Sequence, residues 1–254
     1  MEVHAHTHTA RKKWTHYFWE FLMLFLAVFC GFLAENIREH KMEHQRAKQY
    51  AMSLAEEIAG DSAELSRTIA YYKDKTGNID TLIKLMNGNI KEIPGGTLYY
   101  YAGNSMASNY MIFNRTTLEQ LINSGVLRYF TKRALIKTIG EYDQDIKKIE
   151  ATENLSANIL LETRKLQFKI FDAKFKSVYQ SSYYVTDADS IRMLKNMQIP
   201  LLTYDPKILS EFASWIYMRR ANLSMNVNVR YTHIQLKARE LLQMLKDEYN
   251  LNED

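Results

Sequence analysis

Residues 21–34 read FLMLFLAVFCGFLA, and no other stretch of the 254-residue chain is as densely apolar. Extended back to Tyr17, the run is broken only by Glu20. At ~1.5 Å rise per residue, the segment 17–34 makes about 27 Å of helix, close to a hydrocarbon core of roughly 30 Å. The stretch predicts one membrane-spanning helix. Trp14, Tyr17 and Trp19 stand at its start, where amphipathic rings favour the headgroup layer. Glu20 lies one turn inside that edge and can reach the interface.

The flanks suggest an orientation. Arg11, Lys12 and Lys13 form a basic block before the span. After it, Arg38, Lys41, Arg46 and Lys48 alternate with Glu35, Glu39 and Glu43, and acidic residues do not cancel basic ones in setting topology. The denser block places the N-terminal tail, 1–16, in the cytoplasm and everything after Ala34 on the other side. A cleaved signal peptide fits poorly, because Phe32 stands where a small residue is wanted before Ala34. A lipoprotein signal fits no better, since Phe29 precedes Cys30. Cys30 is the sole cysteine and lies within the span, so no disulfide is expected outside it. A domain of this size can bury an adequate core without one.

The remainder reads as helix. The chain holds only 9 Gly and 3 Pro, too few to punctuate a β fold. Ala47, Ala51, Leu54, Ile58, Leu65, Ile69 and Tyr72 recur at helical spacing, which predicts a stalk over 35–75 continuing the membrane helix. A helical domain, 76–254, follows. It begins with a short helix over 79–86. The stretch 91–113, KEIPGGTLYYYAGNSMASNYMIF, reads as an ordered loop. Thr116 and Glu119 form a capping-box pattern, and Gly125 ends that helix. Thr131 is placed to cap a long helix running toward residue 179, with a break near 152–154. Ser181 and Ser182 mark a turn. Asp205-Pro206 starts the last helix, with Asp as cap and Pro in the first turn. The expected fold is all-α, with long helices packed antiparallel.

Several patterns bear on chemistry. His4, His6 and His8 alternate, so in an extended chain three imidazoles share a face and could converge on a metal. A solvated terminal tail explains them more simply. His40, Glu43 and His44 spell H-x-x-E-H, the inverted zinc-protease pattern, but on an exposed polar stretch with no third ligand nearby. Glu56, Glu57, Asp61 and Glu64 cluster at helical spacing. A diiron centre would need Glu-x-x-His partners, which the chain lacks, so a solvated acidic face is expected. Ala27, Gly31 and Ala34 put small residues on one side of the span, as close helix association requires. The stalk stripe strengthens that expectation of self-association. Tyr99, Tyr100, Tyr101 and Tyr110 are the candidate partner surface. No phosphate loop, nucleophile elbow or dinucleotide fingerprint occurs, and a net charge of +4 spread along the chain gives nucleic-acid binding no support.

The stretch 11–36, RKKWTHYFWEFLMLFLAVFCGFLAEN, and the following EHKMEHQRAKQYAMSLAEEIAGD resemble the N-terminal region of uncharacterised single-pass membrane proteins of Bacteroidetes. TTLEQLINSGVLRYF, 116–130, resembles their short helix ending in Ser-Gly before a long one. The resemblance implies an inner-membrane protein with a helical periplasmic domain. It implies no activity and no cofactor. The reading is therefore a membrane-anchored, self-associating helical scaffold, not an enzyme, in contact with the bilayer and with a membrane or periplasmic protein partner. Two alternatives stand beside it. One is an ion-motive or force-transmitting component that uses Glu20 as its functional carboxylate. The other is a ligand sensor acting through a partner.

Overall fold

The computed structural model describes residues 14–175 and 187–251, and the fold is all-α, with no strand among those residues. The basic block 11–13, the histidines His4, His6 and His8, and the expected turn at Ser181 and Ser182 lie outside the described residues. The first helix, α1, runs unbroken over Trp14–Met86. The expected break between stalk and a second helix at 79–86 is absent, because no Pro interrupts the run and Gly77 alone is tolerable. It is followed by α2 (Gly95–Ser105), α3 (Thr116–Asn123) and α4 (Arg133–Ile170). After residue 187 come α5 (Ala188–Asn196) and α6 (Pro206–Met225). A π-helical segment, Asn226–Tyr231, joins α6 directly to α7 (Thr232–Tyr249).

Three rods make the bundle: the outer half of α1, α4, and the continuous α6–α7. Each buries a stripe spaced alternately by three and four residues. On α1 it is Ala47, Ala51, Leu54, Ile58, Asp61, Leu65, Thr68 and Tyr72. On α4 it includes Leu135, Ile139, Tyr142, Ile146 and Ile149, and on α7 Ile234, Ala238, Leu241 and Leu245. This is the seam of coiled-coil packing.

Direction follows from the ties between rods. At the base, Lys132 and Thr131 meet Glu248, and His44 stacks near Tyr249 at 5.9 Å. At the far end, Arg220 forks onto Asp80 with contacts of 2.7 and 3.0 Å. So α1 and α4 both run outward and only α6–α7 runs back. All-antiparallel packing was the expectation. The segment between α1 and α4 changes it, by returning the chain to the base before α4 begins.

The Tyr-rich stretch is not a loop. Pro94 sits at the N-cap of α2, and the two glycines are needed for close approach rather than for a turn. A Cβ on Gly95 would lie 1.6 Å from the Ile199 carbonyl oxygen, and one on Gly96 2.1 Å from that of Leu194. The end of α2 is held by arginines. Arg219 is 3% exposed and donates to the carbonyls of Ser105 and Ala107, both at 2.6 Å. Arg164 donates to Met106 O at 3.2 Å. These carbonyls are among the acceptors a helix terminus leaves free, and two cations at its negative end satisfy them. Burial pushes the Arg219 pKa down from its ordinary value.

Other caps also depart from the sequence pattern. The Thr116–Glu119 box does not form. Instead, Asn114 Oδ1 accepts from Thr116 N at 3.3 Å, and Glu57 of α1 accepts from Thr117 N at 2.7 Å. Lys132, not Thr131, is the N-cap of α4, and α4 has no break at 152–154. Gly125, at φ 71°, ends the α3 turn, and Asp205 caps α6 through Lys207 N, both as expected.

Candidate functional site

Two regions carry chemistry beyond ordinary packing. The first is the inner half of α1. None of its most apolar eighteen-residue window is buried. Phe21, Phe25, Phe29 and Phe32 are 66%, 54%, 49% and 75% exposed, with no protein surface to receive them. It is one helix long and apolar enough to cross a bilayer. Gly31 has nothing within 4 Å of its hypothetical Cβ, and it shares an open helix face with Ala27 and Ala34. Glu20 pairs with His16 at 3.1 Å, one turn away.

Between Ala34 and Ala47 the helix is exposed and charged. Glu35, Arg38, Glu39, Met42, Glu43 and Arg46 of α1 face Arg128 and Tyr129 across a cleft of about 300 Å³. A hydrogen bond from Arg128, with Arg46 contributing, holds the Tyr129 pKa below its ordinary value. His40 lies 3.7 Å from Glu43, whereas His44 turns to Tyr249. The H-x-x-E-H residues therefore do not converge. His233, the histidine left to serve as third ligand, pairs with Asp145 at 3.0 Å. Among the described residues no group of three or more His, Cys, Asp or Glu is arranged to hold a metal ion.

The second region lies halfway up the bundle, where α1 meets the N-terminus of α3. Asp61 is 7% exposed and Glu57 is half-buried beside it. Asp61 Oδ1 accepts from Asn114 N at 3.0 Å. Burial pushes the Asp61 pKa up to about 6; the Asn114 N–H opposes the rise and the Glu57 charge adds to it. Tyr142, across on α4, is raised by burial and by both carboxylates. Ser53, Glu56, Glu57, Gly60, Asp61, Asn114 and Thr117 line an open cleft of about 480 Å³. The expectation of a wholly solvated acidic face is thus corrected. One signal could have found this: Asp61 falls on the apolar stripe, between Ile58 and Leu65.

A third polar cluster is closed. At the π segment, Asn226 donates to Ser156 Oγ at 3.2 Å, Ser156 to Asn222 at 2.8 Å, and the Tyr231 hydroxyl to Glu153. Burial raises the Glu153 pKa, and the Tyr231 hydrogen bond offsets part of that rise. Its members satisfy one another, so it specifies the α4–α6 pairing rather than offering a site.

The tyrosines are divided. Tyr99 is fully buried, accepts from Asp172 N at 2.8 Å and packs edge-on against Phe171. It is not a partner surface, which corrects the sequence expectation. Tyr100 and Tyr101 are covered by Lys195 of α5, whose ammonium lies 4.4 and 4.5 Å from their ring centres. Tyr110 is 42% exposed and alone of the four keeps a free flank. The stalk stripe is likewise unavailable to a second copy, because this chain's own α6 and α7 cover it.

Compared with known proteins, the chain matches no family model, no curated protein and no solved structure.

Proposed function

We propose that this protein is a membrane-anchored helical scaffold, held by residues 17–34 and presenting its bundle beyond the far headgroup layer. The observation that carries the reading is that α1 continues without a break from an uncovered apolar half into the core of a packed bundle. Leaving that many large apolar side chains in water would cost about 1.5–3 kcal/mol each, and lipid removes the cost. The reading places the N-terminal tail in the cytoplasm and the bundle in the periplasm of a Gram-negative cell, as the basic block and the family resemblance suggest.

Self-association belongs to the span in this reading, through the face of Ala27, Gly31 and Ala34. Glu20 has a local partner in His16, so the force-transmitting alternative has no specific support. The scaffold is read as non-catalytic. The test is crosslinking and co-purification from native membranes. The expected result is an alkali-resistant membrane protein recovered as a homo-oligomer or with a fixed partner. A monomer released by alkaline carbonate sinks the proposal.

A further inference from the structure

Among the described residues, buried side-chain polar atoms without a partner are Glu57 Oε2, Asp61 Oδ2, Ser62 Oγ and Arg115 Nε. Three of these four lie on a little over one turn of α1, and the fourth belongs to the residue next to Asn114. Elsewhere the bundle satisfies its buried polar groups, as at Arg219 and Tyr231. An unpaired buried polar atom costs about 1–3 kcal/mol, and more if charged, so a cluster of them marks a place built for something absent.

The free atoms have a common chemistry. Each carboxylate spends one oxygen on a backbone N–H of the α3 entry, Glu57 at 2.7 Å and Asp61 at 3.0 Å. Each keeps the other oxygen unpartnered. Both residues line the 480 Å³ cleft, and none of the residues lining it is Lys or Arg. Arg115 turns its guanidinium to Asp143 at 2.8 Å and Glu150 at 3.3 Å. The missing group must therefore donate hydrogen bonds, carry positive charge and reach two acceptors on separate carboxylates.

Three cations can be compared. A guanidinium binds best as a fork on both oxygens of one carboxylate, and here each carboxylate has only one oxygen free. A hard metal ion wants six or more oxygens around it, and no group of three metal-ligating side chains is arranged for one among the described residues. A primary ammonium is a compact point charge with three donors and no acceptor. The cleft volume is that of a small organic ligand or an inserted side chain, not of a single ion.

We propose that this cleft binds a primary ammonium group, held between Glu57 Oε2 and Asp61 Oδ2. The ammonium comes from a free amine or from a lysine of a partner protein. The raised Asp61 pKa agrees, since a cation in the cleft would restore the charge that burial disfavours. The groups facing Asp61 are Glu57 on its own helix, Asn114 and Thr117 at α3, and Tyr142 on α4. None of them supplies positive charge. The proposal is independent of anchoring, because the amine site can fail while the membrane fraction stays intact.

The full chain in detergent is titrated calorimetrically with cadaverine, with Nα-acetyl-lysine methylamide, with tetramethylammonium and with calcium. Primary amines should saturate at millimolar concentration or below. Their affinity should fall at least tenfold in Asp61→Asn and in Glu57→Gln, with helicity unchanged by circular dichroism. Tetramethylammonium, which cannot donate, should not bind. Near pH 6, amine binding should release protons, read as a buffer-dependent heat. Tighter binding of cadaverine assigns the site to free amines, and tighter binding of the lysine derivative assigns it to a partner side chain. No primary-amine binding, binding of calcium alone, or equal amine affinity in the wild type and both variants would overturn the proposal.

Discussion

The two halves of α1 are the same helix in two different surroundings. From Trp14 to Arg46 almost every side chain is exposed, whether apolar or charged. From Ala47 to Leu82 the apolar residues are confined to a stripe, and that stripe is buried. The inner half is apolar all round and needs a partner all round, which only lipid supplies. The outer half needs a partner on one side, and two neighbouring rods supply it. Apolar density and apolar periodicity thus answer different questions about one continuous element.

The comparison breaks most completely if charge is placed in the inner half. Phe25→Arg with Phe29→Arg should move the protein out of the alkali-resistant membrane fraction, since each Arg near mid-span costs about 2.5–3.5 kcal/mol on insertion scales. The thermal unfolding of the bundle should not change. Leu54→Ala makes the converse cut. It opens a cavity in the outer half and should cost about 2–5 kcal/mol in denaturant unfolding, with membrane retention intact. Arg219→Met tests the covering rods. It leaves the Ser105 and Ala107 carbonyls buried and unpaired, a loss of about 2 kcal/mol or more. Arg219→Lys should recover part of it.

The smallest effect has the opposite sign. Asp61 is the acidic intruder in the outer stripe, and its pKa is raised from an ordinary 3.8 to about 6 in the folded protein. The folded state therefore holds its proton more tightly than the unfolded state. Its contribution to stability is full below the ordinary pKa and is lost as pH rises through about 6. Asp61→Asn should stabilise the bundle by about 1–3 kcal/mol at neutral pH, and should flatten the dependence between about pH 4 and 6. Equilibrium unfolding at several pH values checks both. A destabilised, equally pH-sensitive variant would count against a desolvated carboxylate.

Much of this architecture is legible from residues alone, within limits that have physical causes. The span at 21–34 is visible because nothing but bulk apolar surroundings suits it. The stripe from Ala47 to Tyr72 is visible as a helix face, but periodicity says that a face is covered and not by what. It suggested a seam between copies, where the structure places α6 and α7. Pro94-Gly95-Gly96 looked like a loop because glycine breaks helices. Here the missing side chains admit the backbone of Ile199 and Leu194, a long-range demand that no local rule contains. The Thr116–Glu119 box lost to Asn114 and to Glu57, which lies far away in sequence. The π segment has no local signature at all. Asp61 was legible in principle: the alternating spacing puts it on the buried side, against the habit of reading charge clusters as solvated.

The unbroken course of α1 turns the molecule into a lever. From mid-span to Met86 is about 90 Å of straight helix, so a tilt of about 20°, ordinary for such segments, swings the tip some 30 Å sideways. With no joint along that length, small changes in bilayer thickness or in the crossing angle of paired spans become large displacements at the distal end.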